Sequence, residues 1–182
     1  MKIETATIQR LRDALLQSGR RPSVIVSPAY ETLARQGLLD AAEAAALERV
    51  DPCVETMYLM MAADGRVNQA ELDAIRGAVR GLTGNRLRSG TIDYMMTTYA
   101  ARLNTQGREQ RLEEIAELLS ESPVEAESAF ALAAAVALAD DSVAEEENAL
   151  INQLAQWFGI SQERAEAILD ELEQDRASAP DR

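Results

Sequence analysis

The sequence contains no histidine, one cysteine (Cys53) and one lysine (Lys2), and these scarcities remove whole classes of chemistry. Ser-His-Asp triads, His/Cys zinc sites, Schiff-base lysines and intrachain disulfides are all closed to it. Aromatic residues make up only 4% of the chain, which argues against sheets of β-branched and aromatic strands. Long apolar runs are also missing. The longest, Ala129 to Ala139, is about half of the ~20 residues a membrane helix needs, and Glu127, Asp140 and Asp141 flank it, so it reads as a buried helix. Basic charge is short as well: 18 basic against 31 acidic residues leave a net charge of −13, a field that repels phosphate backbones and anionic lipid. The expectation is a protein without a nucleic-acid partner and without direct membrane insertion. A single cysteine and no early apolar signal region point to the cytoplasm.

What is present favours helices. Apolar residues reach 47% of 182, and 32 positions are alanine, the best helix former and the smallest side chain for close helix packing. The expected fold class is all-α: a helical bundle of about seven helices containing two pseudo-twofold-related helix-loop-helix repeats, with an N-terminal helical extension. Residues 1–50 are assigned to the extension, 51–175 to the helical domain and 176–182 to a disordered tail. The spacing of Ile8, Leu11, Leu15 and Leu16 predicts an amphipathic helix from Thr5 to about Gln17. A short and a longer helix, interrupted near Gly37, follow. Asp51-Pro52 reads as a helix start, with Asp as cap and Pro at the first helical position. Asn68 and Glu71 form a capping signature, Ser122-Pro123-Val124-Glu125 forms another, and Ser161 caps the last helix.

An internal repeat organises the chain. Ala63-Asp64-Gly65-Arg66-Val67-Asn68-Gln69-Ala70-Glu71 aligns with Ala139-Asp140-Asp141-Ser142-Val143-Ala144-Glu145-Glu146-Glu147, since 140 minus 64 and 147 minus 71 are both 76. Each copy is a helix, an acidic turn and a second helix with a Glu in its first turn, so two hairpins can bury their apolar faces together. The first turn resembles the second half of an EF-hand loop. Its first half fails, because Met60 and Ala62 stand where carboxylate ligands belong, so one turn cannot surround a calcium ion alone.

Two readings of the turns remain open. Asp64 and Asp140 are either hard-metal ligands or residues that end one helix and cap the following loop. Glu71 has capping work with Asn68, whereas Glu147 lacks that duty because Ala144 replaces the Asn. Asp140, Asp141, Glu145, Glu146 and Glu147 crowd five carboxylates into eight positions. A helix N-terminus welcomes such charge, but the carboxylates oppose each other's ionisation, and a bound cation relieves that conflict. Met57, Met60, Met61, Met95 and Met96 fall at core spacing, Cys53 reads as a small buried residue near a helix start, and the arginines around Arg88 and Arg108 to Arg111 suit pairing with Glu.

With Met61-Ala62-Ala63-Asp64-Gly65-Arg66-Val67 and Ala137-Leu138-Ala139-Asp140-Asp141-Ser142-Val143 in view, the chain resembles the TerB-like tellurite-resistance family over roughly Asp51 to Leu172. That resemblance implies a bundle of about seven helices, paired acidic motifs for a divalent metal, and a role in tellurite and related stress resistance. It also implies a protein partner, with a TerC-like membrane protein as the candidate. Asp141 departs from the pattern, which prefers Gly there. The expected metal residues are Asp64, Glu71, Asp140, Asp141 and Glu147, with Ca²⁺ or Mg²⁺ as the cofactor and no catalytic residues. Two rivals stand beside this reading. One is an interaction module whose carboxylates only cap helices. The other is a carboxylate-based hydrolase, disfavoured by the absence of His and the shortage of aromatics.

Overall fold

A computed structural model describes residues 3–18, 30–65, 67–139 and 145–178, and every regular element among them is a helix. Helix α1 (Thr5–Gln17) has the bounds its apolar spacing predicts and buries Ile8, Leu11 and Leu15. A five-residue α2 (Glu31–Arg35) precedes α3 (Ala41–Met61), α4 (Gln69–Thr83), α5 (Ser89–Gln106) and α6 (Arg108–Leu119). Helices α7 (Pro123–Ala137), α8 (Glu145–Trp157) and α9 (Gln162–Ala177) complete the order. No described helix is long and apolar enough to cross a membrane.

The core forms around α3 and α7, which make the most extensive contact in the molecule. Ala129, Ala133, Ala134 and Ala137 are completely buried, and these small side chains let the α7 backbone approach its neighbours closely. Helix α4 packs on α3, α8 packs on α7, and α1 lies across α4, α7 and α9. The repeat is visible in the helix bounds. Helices α3 and α7 end at 61 and 137, and α4 and α8 start at 69 and 145, a separation of 76 in both cases. The hairpins α3–α4 and α7–α8 are thus in the register the sequence repeat predicts, and their first helices are packed together at the centre.

Caps set the remaining boundaries. The Asn68 side chain accepts from the Glu71 N–H while Glu71 accepts from the Asn68 N–H, a complete capping box. Ser122 accepts from Glu125 with Pro123 at the first position of α7, and Ser161 accepts from Arg164. Gly65 has φ +77°, the left-handed conformation that breaks the chain away from α3.

The structure corrects the sequence reading at Asp51-Pro52, at Cys53 and at Arg176. No helix starts at Asp51-Pro52, because α3 begins after Asp40, whose side chain caps Glu43, and runs through Pro52 to Met61. Proline inside a helix loses a hydrogen bond and costs about 3 kcal/mol. Here the helix is buried on both sides of it, with Val50, Cys53 and Val54 at most 2% exposed, and tertiary packing overrides the local break. As a result α3 crosses the division drawn at residue 50, and Cys53 is buried deep within a helix rather than near its start. Arg176, placed in the tail from sequence, belongs to α9; residues 179–182 lie outside the described residues.

Candidate functional site

The first acidic turn follows directly from the end of α3. Asp64 is exposed, two residues past the C-cap Ala62, and Gly65 donates to the Ala62 carbonyl at 3.1 Å. Glu71 stands third in α4, half-buried, with one carboxylate oxygen on the Asn68 N–H at 2.9 Å. In the second hairpin Glu147 stands third in α8 and is also half-buried. Asp140 and Asp141, with Ser142 to Ala144, lie outside the described residues. Among the described residues, no three Asp, Glu or Cys side chains are grouped closely enough to hold a metal ion.

Each hairpin end is met by an arginine from a later helix. Arg108 Nη2 donates to the Ala62 carbonyl at 2.7 Å and the Ala63 carbonyl at 2.9 Å. Arg176 Nη1 donates to the Leu138 carbonyl at 2.8 Å. Arg176 also stands at the edge of a cavity of about 220 Å³ between α1, α7 and α9, walled by Ile3, Ala135, Leu138 and Leu172, with Glu4 beside it.

A second polar constellation is buried along α3. Read from sequence as a helix cap, Asp51 is 14% exposed and receives the Tyr30 hydroxyl at 2.5 Å and the Tyr99 hydroxyl at 2.6 Å on one oxygen. Burial pushes its carboxyl above the usual aspartate range; the two hydroxyls and the Arg102 charge pull it down, and Glu55 pushes it further up. One turn on, Glu55 accepts from Arg102 at 2.6 Å and from Arg111 at 2.8 and 2.9 Å. Tyr30 is fully buried, so the start of α2 is tied to the centre of the bundle through this carboxylate. Nearer the start of α3, buried Glu43 receives the Thr91 hydroxyl at 2.7 Å, the Arg88 N–H at 3.0 Å and the Arg88 guanidinium. Burial alone raises the Glu43 carboxyl, but the Arg88 and Thr91 hydrogen bonds and the Arg88 charge outweigh it and lower the pKa to about 2.

These contacts account for the basic stretch that the sequence shows around Arg88 and Arg108 to Arg111. Arg88 and Arg111 pair with carboxylates and Arg108 with carbonyls. All five methionines at core spacing are buried. Sequence reasoning missed the carboxylates of α3, since Asp51, Glu55 and Glu43 find partners 21 to 56 residues away and nothing local distinguishes them from surface acids.

The family model for tellurite resistance protein TerB matches residues 51–170, from the middle of α3 into α9. The chain matches no curated protein and no solved structure.

Proposed function

Because the chain belongs to the TerB tellurite-resistance family, we propose that it acts as a non-enzymatic cytoplasmic component of that resistance, using its two acidic hairpin ends to bind a divalent cation or a cationic partner surface. One observation carries this reading. The duplicated hairpins place Asp64 just beyond the carboxyl end of a central helix, where the helix dipole is already negative and an aspartate is unfavourable. A carboxylate added to the negative end of a helix strengthens the local field that draws a cation.

Asp64 and Asp140 are the chosen ligands, with Asp141 and Glu147 as further candidates; one carboxylate oxygen of Glu71 is taken by the capping box. Oxygen donors without thiolate or imidazole suit Ca²⁺ or Mg²⁺. No closed metal cage forms among the described residues, so the ion takes further ligands from outside them, a partner protein included. A membrane protein of the TerC type is the partner that the family suggests. The capping box at Asn68 and Glu71 favours, for that one glutamate, the reading in which carboxylates serve the fold alone.

Isothermal titration with Ca²⁺, Mg²⁺, Mn²⁺ and Zn²⁺ tests the site. The wild type is expected to give a saturable isotherm with an oxygen-preferring ion, weakened roughly tenfold or more in Asp64→Ala/Asp140→Ala. Indistinguishable isotherms, millimolar or weaker for both proteins, contradict the cation reading and leave an interaction module.

A further inference from the structure

The carbonyls that close the two central helices are repeat-related, and the groups that serve them are not. Ala62 and Leu138 occupy the same place in the two hairpins, since 138 minus 62 is again 76. Each carbonyl accepts from a guanidinium, yet Arg108 is the first residue of α6 and Arg176 lies in the last turn of α9. The same electrostatic need has been met twice by unrelated parts of the chain. The need is plain: the last turn of a helix exposes unmatched carbonyls and a partial negative charge, and here acidic residues follow at once in the sequence. Arginine suits the task because each terminal guanidinium nitrogen carries two N–H donors, and Arg108 Nη2 reaches both the Ala62 and the Ala63 carbonyl. The Arg108 Nε is buried with no hydrogen-bond partner among the described residues, a desolvation cost accepted for the two carbonyl bonds.

We propose that Arg108 and Arg176 are positioning residues, each fixing the carboxyl end of one central helix from its own later helix, so that the two hairpin ends are set independently. At the first end, Arg108 also limits how strongly Asp64 attracts a cation, because its charge and its hold on the carbonyls work against an incoming ion. This second part rests on the cation-binding reading above. The first does not.

Amide hydrogen exchange and Mn²⁺ titration by NMR on the full chain separate the two parts. Arg108→Gln is expected to speed exchange at residues 62–65 about tenfold, the effect of losing charge-assisted hydrogen bonds, while residues 137–139 stay as in the wild type. Arg176→Gln gives the reverse pattern, and Arg108→Lys, with its charge kept and its fork lost, falls between wild type and Arg108→Gln. Exchange at Met95 and Met96, on the buried face of α5, reports any global loss of stability and is expected to stay as in the wild type. Equal responses of both ends to either substitution, or no response, overturn the positioning role. In the titration Arg108→Gln is expected to bind Mn²⁺ at Asp64 roughly 3–10-fold more tightly, from removal of one nearby positive charge. Unchanged or weaker affinity overturns the second part. A wild type without any Mn²⁺ site contradicts the proposed function and the second part together, and the exchange pattern still decides the first.

Discussion

Arg111→Met is expected to lower the stability of the folded chain by about 3–5 kcal/mol, measured by urea denaturation at neutral pH. Arg111 is 6% exposed and delivers two of the three guanidinium hydrogen bonds that Glu55 receives. Methionine keeps much of the volume, so the loss comes from electrostatics rather than from a hole. Without Arg111, one Glu55 oxygen loses its donor within a bundle that leaves Glu55 only 1% exposed. Arg102 remains on the other oxygen at 2.6 Å and holds the effect toward the lower end. The mechanism makes a second, sharper statement: Arg111→Met/Glu55→Gln is expected to be less destabilised than Arg111→Met alone, because an amide is far cheaper to bury than an unpaired carboxylate. A loss below about 1 kcal/mol in the single variant, or a double variant that is worse, contradicts this view of the α3 network.

The second large effect is a loss of stability in acid. Glu43 titrates at about 2 in the folded chain against an ordinary value of 4.5. Its folded value is the lower one, so the unfolded chain binds the proton first, and the stabilisation is present above about pH 4.5 and is lost as pH falls toward 2. The difference corresponds to roughly 3 kcal/mol, and exposure of the Arg88 partner screens it toward ~2 kcal/mol. Asp175 adds a contribution of the same sign, since burial raises its carboxyl less than Arg10 and Thr7 lower it. Asp51 opposes both. Its folded pKa is raised by burial, so protonation favours the folded chain, and stability falls with rising pH between the ordinary aspartate value and the folded one. Stability of wild type, Glu43→Gln and Asp51→Asn, followed from pH 7 down to 2, separates the terms. The gap between wild type and Glu43→Gln is expected to narrow across the acid range, and a gap independent of pH would remove Glu43 from the account. Asp51→Asn, which keeps an acceptor for both tyrosine hydroxyls, is expected to steepen the acid loss.

Where the sequence proved readable, the signal was local. The bounds of α1, the capping box at Asn68 and Glu71, and the proline-led start of α7 follow from contacts within four residues, which a sequence displays directly. The repeat was readable for another reason: a duplicated segment brings its own internal check, and the helix bounds keep its 76-residue separation. Asp51-Pro52 shows the opposite situation. Locally it is a strong start signal, but Tyr30 and Tyr99 arrive from far away to occupy the carboxylate that would have capped a helix, and burial carries α3 past the proline. The arginines at the hairpin ends were hidden in the same way. Arg108 and Arg176 differ from their neighbours only in what the fold places before them, the carbonyls of α3 and α7. Of the candidate site, the sequence shows the register of Asp64, Glu71 and Glu147, and the fold adds Arg108 and Arg176 on the carbonyls at the ends of α3 and α7.

The most direct measurement is a crystal structure of the wild-type chain grown in Mn²⁺, with anomalous scattering used to locate the ion. A peak is expected within about 2–2.6 Å of carboxylate oxygens of Asp64 or Asp140. Saturating Mn²⁺ with no anomalous peak at either residue, and with those carboxylates engaged only by protein N–H groups and solvent, would contradict the cation-binding reading.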